Sequence, residues 1–382
     1  MTDLVRQEVA TGADTVVVKV GSRVLTGGDG LLNIERIRSL AAELAAVADS
    51  GRKVVLVSSG AVAAGMGQLG LARRPRDLAQ LQAVAAVGQS HLMQAYDQAL
   101  RTHGRHAAQV LLTADGMDHR TRYLNVRNTI LRLLAIGAIP IVNENDTVSV
   151  DELQISFGDN DRLAAMVTNL IQAPLLILLS DVDGLYAGDP QDPDVQLIPL
   201  VTALDEAIFG LVRDKLTGLS KGGMASKLQA AQMATSAGEN VVIASGKRPG
   251  VIQEILAGAV VGTLFLPRGQ TIQSRKRWIG FAAQPRGTIV VDAGAEQAIV
   301  ERGRSLLAIG VVEVTGNFIK GDPVVLHGPG GREFARGLTN YSAGEITRIK
   351  GGRTDQIALR LGHCPYDEVI HRDNLTRSGV SG

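Results

Sequence analysis

The stretch Thr15–Ser22, "TVVVKVGS", decides how the rest of the chain is read. Its β-branched residues run without alternation into Gly21 and Ser22, the pattern of a strand covered on both faces. The same pattern returns in "KVVLVSS" (Lys53–Ser59), "AAQVLLT" (Ala107–Thr113), "AIPIVN" (Ala138–Asn143), "LLILLS" (Leu175–Ser180) and "NVVIAS" (Asn240–Ser245). Ala/Leu-rich segments of helical period lie between these runs, at Ile34–Asp49, Asp77–His103, Thr121–Ala135, Asp161–Ile171 and Met224–Ala237. Strand–helix alternation of this kind predicts an α/β fold, a three-layer αβα sandwich around a mainly parallel sheet.

Outward from this core the composition changes once, at Arg268–Gly287, where basic and polar residues replace the alternation. Short strands separated by Gly, Asn and Pro follow, with one small helix around Ala295–Arg302. The expected organisation is an α/β domain over 1–268, a linker over 269–285, a small β-rich domain over 286–364 and a tail over 365–382.

At 382 residues the chain has material for two domains. Hydrophobic residues at 45%, charged residues at 20% and a net charge of +1 argue against a disordered tail or a dedicated nucleic-acid binder. Cys364 stands alone, which excludes an internal disulfide and cysteine-rich zinc sites and fits a reducing cytoplasm. The opening "MTDLVRQEVATGAD" lacks the basic and apolar regions of a secretion signal, and runs such as "PLLILL" are too short to span a bilayer, so no membrane role is expected.

Ligands of open α/β sheets gather at the carboxyl ends of strands. The first run delivers Lys19 beside a Gly21–Ser22 turn, the second leads through Ser58–Ala61 into a helix, and a third ends at Ser180 and Asp181 beside Gly184. Free amides and an ammonium suit a phosphate, although ordinary strand-to-helix turns look the same. A fourth element, "SKGGMASK" (Ser220–Lys227), adds a glycine pair and two lysines at a helix start. "ASGKRPG" fails as a P-loop because Arg248 follows Lys247, and "GMGQLG" (Gly65–Gly70) lies too far beyond its strand, with no suitably placed acid, for a dinucleotide fingerprint.

The acidic pair "NENDTVSV" (Asn143–Val150) and "FGDNDR" (Phe157–Arg162) is open to several readings. It lacks the spacing of a calcium loop, and an acid/base pair competes with a solvated loop plus a helix cap at Asp159 or Asn160.

Taken in order, "KVGS", "SSGA", "NENDTV", "FGDND", "LLSDVDGLY", "KGGMASK" and "GKRPGVI" resemble the glutamate 5-kinases of the amino acid kinase superfamily. The likeness runs on through "RKRWI", "GTIVVDAGAEQAI", "SLLAIGV" and "VTGNFIKGDPV", which are similar to that family's linker and C-terminal PUA domain. The resemblance implies ATP-dependent phosphorylation of the side-chain carboxylate of L-glutamate, with Mg2+ arriving on the nucleotide. It implies that Ser59, Asp146 and Asn160 contact glutamate with Gly60 and Asn143 nearby, and that Lys19 and Lys227 stabilise the transferring phosphoryl group while Asp161 orients them. A nucleotide site is implied at Lys19, Gly21, Ser22, Ser180, Asp181, Lys221, Gly222, Gly223, Met224, Ala225, Ser226 and Lys227. Ser220 and Lys221 stand where the family usually has Gly-Thr, which puts nucleotide affinity, not reaction type, in question. The family further implies a homo-oligomer, inhibition by proline and hand-over of product to glutamate-5-semialdehyde dehydrogenase. The rival class is RNA binding through the C-terminal domain, on Lys320, Arg332, Arg336, Arg348, Lys350 and Arg353; with only Phe318, Phe334 and Tyr341 interleaved, base stacking is thinly supported.

Overall fold

β1 (Thr15–Val20) runs between β2 (Lys53–Val57) and β5 (Leu175–Ser180), parallel to both. The computed structural model describes residues 3–113, 117, 119–148, 160–189, 192, 194–213, 223–267, 279, 283–364 and 366–378. Beyond β2 lie β4 (Ile139–Glu144) and β3 (Ala107–Leu112); beyond β5 lie β7 (Asn240–Ser245), β8 (Thr263–Phe265) and β6 (Leu200–Val201). The eight strands are ordered β3-β4-β2-β1-β5-β7-β8-β6. Val16, Val17, Val18 and Val20 have no exposed surface and all of β5 is buried, as unbroken apolar runs require. The chain builds β2, β3 and β4 on one side of β1 and then crosses to β5 on the other. The carboxyl ends of β1, β2, β4 and β5 therefore border the point where strand order reverses.

The long helices fall where helical period placed them, at Ile34–Asp49, Leu78–Arg101, Arg120–Ala135, Asp161–Ile171 and Met224–Ala237. Elements that escape the sequence pattern include the helices Leu4–Gly12, Glu206–Arg213 and Val251–Leu256 and the strands β6 and β8. Elements of two or three residues carry no period, and β8 departs from the parallel rule by pairing antiparallel with β7. The helix Leu4–Gly12 is anchored by Arg6, 4% exposed, whose guanidinium donates to the carbonyls of Pro199, Val261 and Gly262 at 2.6–2.9 Å.

The glycines of "GMGQLG" find a packing reason. A Cβ on Gly65 would sit 1.9 Å from the Val84 carbonyl oxygen, and one on Gly88 would sit 1.8 Å from that of Ala61. Backbones of Ala61–Gln68 and Leu78–Arg101 thus touch, which only glycine permits.

Chain contacts divide the molecule into Met1–Gly116 with Leu124–Thr271, and Met117–Tyr123 with Ile272–Gly382. The second unit holds a five-stranded sheet of β9 (Gly287–Val291), β10 (Val311–Gly316), β11 (Pro323–His327), β12 (Glu333–Leu338) and β13 (Leu375–Arg377), ordered β10-β9-β11-β12-β13. Its core includes Phe318, Phe334 and Tyr341, with Val369 and Ile370 fully buried. β13 pairs with β12 inside the stretch expected as a tail, so the β-rich core extends past residue 364. The expected linker, including Arg275–Arg277 and Trp278, lies almost wholly outside the described residues.

Candidate active site

Lys19 leaves the end of β1 and is 3% exposed, which in an apolar sheet demands a counter-charge. Asp161, the first residue of the helix Asp161–Ile171 and fully buried, supplies it: Oδ1 lies 2.5 Å from Lys19 Nζ and Oδ2 lies 3.0 Å from Lys227 Nζ. Lys227 enters from the first turn of Met224–Ala237 and is 6% exposed. Burial alone raises the Asp161 carboxyl, but the two ammonium groups outweigh it and hold the acid below the usual carboxylate range. Two buried cations thus share one buried anion, and the geometry of that carboxylate fixes both ammonium groups.

Two clefts adjoin these elements: one takes in Lys227 itself, the other Asn160, the residue before Asp161. The larger, about 170 Å3, is lined by Ser180, Asp181, Gly184, Tyr186, Gly223 and Lys227 among others. Arg23 forms one wall and pairs with Asp181 Oδ2 at 3.2 Å; although burial pushes the other way, that pairing holds Asp181 below its ordinary value. Gly184 is a packing residue, since a Cβ there would lie 2.7 Å from Thr263 Oγ1.

The smaller cleft, about 50 Å3, is lined by Ser22, Ser59, Gly60, Arg74, Asn143, Glu144, Asp146 and Asn160 among others. Asn160 does not cap its helix. Its amide donates instead to the Ser58 carbonyl, to Ser59 Oγ at 3.2 Å and to Asn143 Oδ1 at 2.8 Å. Asn143 in turn donates to Gln89 Oε1 at 2.8 Å, while the Ser58 hydroxyl bonds the buried Tyr96 hydroxyl at 2.9 Å. The Asp146 carboxyl is pushed up to about 7, first by burial and then by Glu144, with Arg74 pulling the other way.

Three helices that reach these clefts, starting at Ala61, Asp161 and Met224, have no N-cap side chain on their first amides; the caps are Gly60, Asn160 and Gly223, with Gly60 at φ 102°. A helix start with no capping side chain, and the positive end of the helix, both favour anions, and Ala61 lines the smaller cleft and Met224 the larger.

The sequence-predicted residues sort unevenly between the clefts. Ser59, Gly60, Asn143, Asp146 and Asn160 share the smaller one, and Ser180, Asp181, Gly223, Met224 and Lys227 the larger. Ser226 reaches Asp161 Oδ2 at 3.4 Å. Ser22, read with the nucleotide turn, lines the smaller cleft, and the Gly21 amide donates to the Leu179 carbonyl at 3.3 Å. Ser220, Lys221, Gly222, Phe157 and Asp159 lie outside the described residues. Sequence reasoning passed over Arg23, Arg74, Gln89 and Tyr96; the arginines were legible as charge in "GSR" and "RRPRD", whereas nothing in a helical period marks which hydroxyl or amide of Leu78–Arg101 faces a site.

The cations proposed for RNA are partly engaged within their own unit. Arg336 pairs with Glu333 at 2.7 Å, Arg348 donates to the Arg360 carbonyl, and Lys320 lies 4.5 Å from the centre of the Tyr366 ring.

An open α/β sheet with two clefts at its strand ends can host many chemistries, and the family comparison identifies this one as a phosphotransferase. The amino acid kinase family matches residues 14–245 and the PUA domain residues 287–359. The chain belongs to the amino acid kinase family. Within it the chain is similar to glutamate 5-kinases: 50% identical to that of Rhodopirellula baltica over 97% of this chain and 95% of the relative. It is 48% identical to that of Moorella thermoacetica over 95% of this chain and 96% of the relative. Among solved structures, carbamate kinase from Giardia lamblia bound to AMP-PNP aligns at 18% identity and TM-score 0.48, over 68% of this chain and 100% of that one.

Proposed function

We propose that the chain transfers the γ-phosphoryl group of ATP to the side-chain carboxylate of L-glutamate, giving L-glutamyl 5-phosphate, the first step of proline biosynthesis. The observation that carries this reading is the buried Lys19–Asp161–Lys227 bridge, whose Lys227 lines the larger cleft. The similarity to glutamate 5-kinases over 97% of the chain supports the acceptor.

A glutamate side chain has a pKa near ~4.3 and is ionised at neutral pH, so no base is needed to activate it. The obstacle is repulsion between an anionic acceptor and a polyanionic nucleotide, roughly 4 kcal/mol per unit-charge pair at contact and intermediate dielectric. Lys19 and Lys227 offset that repulsion and stabilise charge on the transferring group, the main task in phosphoryl transfer. Asp161 keeps the two ammonium groups from repelling each other and fixes their positions. The acceptor oxygen forms the new bond to phosphorus as the bond to the ADP oxygen breaks; no proton moves.

The nucleotide is assigned to the cleft of Ser180, Asp181 and Lys227, and glutamate to the cleft of Ser59, Asn143, Asp146 and Asn160, with Asp146 facing the α-ammonium. The donor set fits Mg2+ carried on nucleotide phosphates. Asp161 is committed to two lysines and Asp181 to Arg23, and no group of three His, Cys, Asp or Glu converges among the described residues. Bound Mg2+ would supply charge neutralisation at the phosphates. Proline shares the α-carboxylate and amine of glutamate and fits as a competitor at Asp146. The acyl phosphate product is a labile anhydride suited to hand-over to a reductase, and the chain is expected to self-associate.

The test offers MgATP with glutamate, aspartate, acetylglutamate, carbamate or UMP, trapping acyl phosphate with hydroxylamine and measuring ADP. Glutamate-dependent hydroxamate supports the reading; preferential turnover of another acceptor overturns it.

A further inference from the structure

We propose that Arg74 is the specificity-determining residue that reads the α-carboxylate of the acceptor, so that the site selects a free α-amino acid over its α-amide. The inference rests on the acceptor assignment above and deepens it.

The smaller cleft contains complementary groups for most of a free glutamate. The helix start at Ala61 offers amides to an anionic group, and Asp146 and Glu144 are the carboxylates that could face an ammonium. A free amino acid carries one further charge, the α-carboxylate, which must sit within about two bonds of the ammonium. Among the described residues lining this cleft, Arg74 is the only cation. It acts electrostatically on Asp146, so its charge already reaches the place where the ammonium would bind.

Arg74 is also uncommitted. Nothing holds its guanidinium in a hydrogen bond or ion pair among the described residues, in contrast to Arg23, which pairs with Asp181 in the other cleft. It sits in the "RRPRD" loop, Arg73–Asp77, between the helix Ala61–Gln68 and the helix whose cap is Asp77. Pro75 and the Asp77 cap fix the backbone that follows it, so an exposed side chain is offered from a defined position. A guanidinium matches a carboxylate with two parallel donors, a geometry that an ammonium does not reproduce.

The experiment measures kcat and KM of the full chain for L-glutamate and for L-isoglutamine, in which the α-carboxylate is an amide, at saturating MgATP. The wild type, Arg74→Met and Arg74→Lys are compared. The wild type is expected to show a KM for isoglutamine at least about tenfold above that for glutamate, the scale of a lost charge-assisted hydrogen bond. In R74M the KM for glutamate rises by about the same factor while the KM for isoglutamine and the KM for ATP stay where they were, so the preference collapses; R74K restores part of it. Equal changes for both acceptors, or none, overturn the inference while leaving glutamate phosphorylation intact. Wild-type chain that makes no acyl phosphate from glutamate overturns the acceptor assignment and this inference together. Because Arg74 is exposed, an unchanged melting temperature is expected of R74M; a fall in melting temperature with both KM values raised alike assigns Arg74 a structural role and also overturns the inference.

Discussion

Replacing Asp161 by Asn tests whether the bridge is a scaffold, a catalytic device or both. The carboxyl has no exposed surface and its oxygens lie 2.5 and 3.0 Å from two lysines that are 3% and 6% exposed. Removing the shared anion takes from two buried cations the carboxylate that bridges them, and breaking a buried ion pair from one side costs ~3–5 kcal/mol. Lys19→Met is milder for the fold, because Asp161 keeps Lys227 and no charge is orphaned. The expected order of stability loss in urea unfolding of the full chain is therefore D161N well above K19M and K227M. Activity should rank differently: removing a donor aimed at developing charge costs ~10²–10³ in kcat, so K19M and K227M lose that much even where they remain well folded. Stability also carries a pH signature. The folded-state pKa of Asp161 is depressed, so its contribution is present above the unfolded value near ~3.9 and is lost as pH falls through the folded value. D161N should flatten the acid limb of the stability curve. A D161N chain within ~1 kcal/mol of wild type, with lysine variants that keep near-normal kcat, would refute the reasoning.

Other outcomes follow from single contacts. With the Asp146 carboxyl pushed up to about 7, the ammonium-binding form predominates above that pH; the KM for glutamate should rise about tenfold from pH 8 to pH 6 in the wild type and lose this dependence in Asp146→Asn, measured by initial rates. Gly88→Ala places a Cβ 1.8 Å from the Ala61 carbonyl, so it should lower unfolding stability by ~3 kcal/mol or more and disturb the smaller cleft through Ala61. Tyr96→Phe removes one of two partners of the buried Ser58 hydroxyl, which also donates to the Ser59 carbonyl at 3.0 Å, and should cost ~1 kcal/mol in urea unfolding, with a raised KM for glutamate and an unchanged KM for ATP.

The central sheet was legible because six apolar runs alternate with helical segments; those in the middle of the sheet are buried on both faces, while β3 at its edge is half exposed. The helices Ile34–Asp49, Asp161–Ile171 and Met224–Ala237 were legible to their ends. β8 and the helix Leu4–Gly12 were not, because one is too short for a period and the other is anchored by an arginine whose acceptors lie near residues 199 and 261. The same distinction governs the site. Lys19, Ser59 and Ser180 stand at strand ends and can be found by position. The assignment of Ser22 to a cleft, the coupling of Asn160 to Ser58 and Asn143, and the commitment of the Gly21 amide all depend on which neighbour lies across the sheet. A turn read in isolation cannot supply that.

Helix capping separates scaffold from site in this domain. The helices Leu4–Gly12, Ile34–Asp49 and Leu78–Arg101 have Asp3, Asn33 and Asp77 accepting from their first amides. Those starting at Ala61, Asp161 and Met224 have no such acceptor, and all three open onto the clefts. The shorter helix Val251–Leu256, also preceded by glycine, is away from both clefts, and there Glu43 accepts from the Ile252 amide at 3.3 Å. An omitted cap side chain costs about 1 kcal/mol, and a bound anion at such a helix end offsets that cost. The residue before Asp161 shows the choice at one position: Asn160 occupies a cap site with a capable side chain, yet sends it to Ser58, Ser59 and Asn143. Two consecutive residues thereby line the smaller cleft and bridge Lys19 to Lys227. Any shift of this helix N-terminus must alter both together, which couples the shape of that cleft to the lysine positions through the backbone.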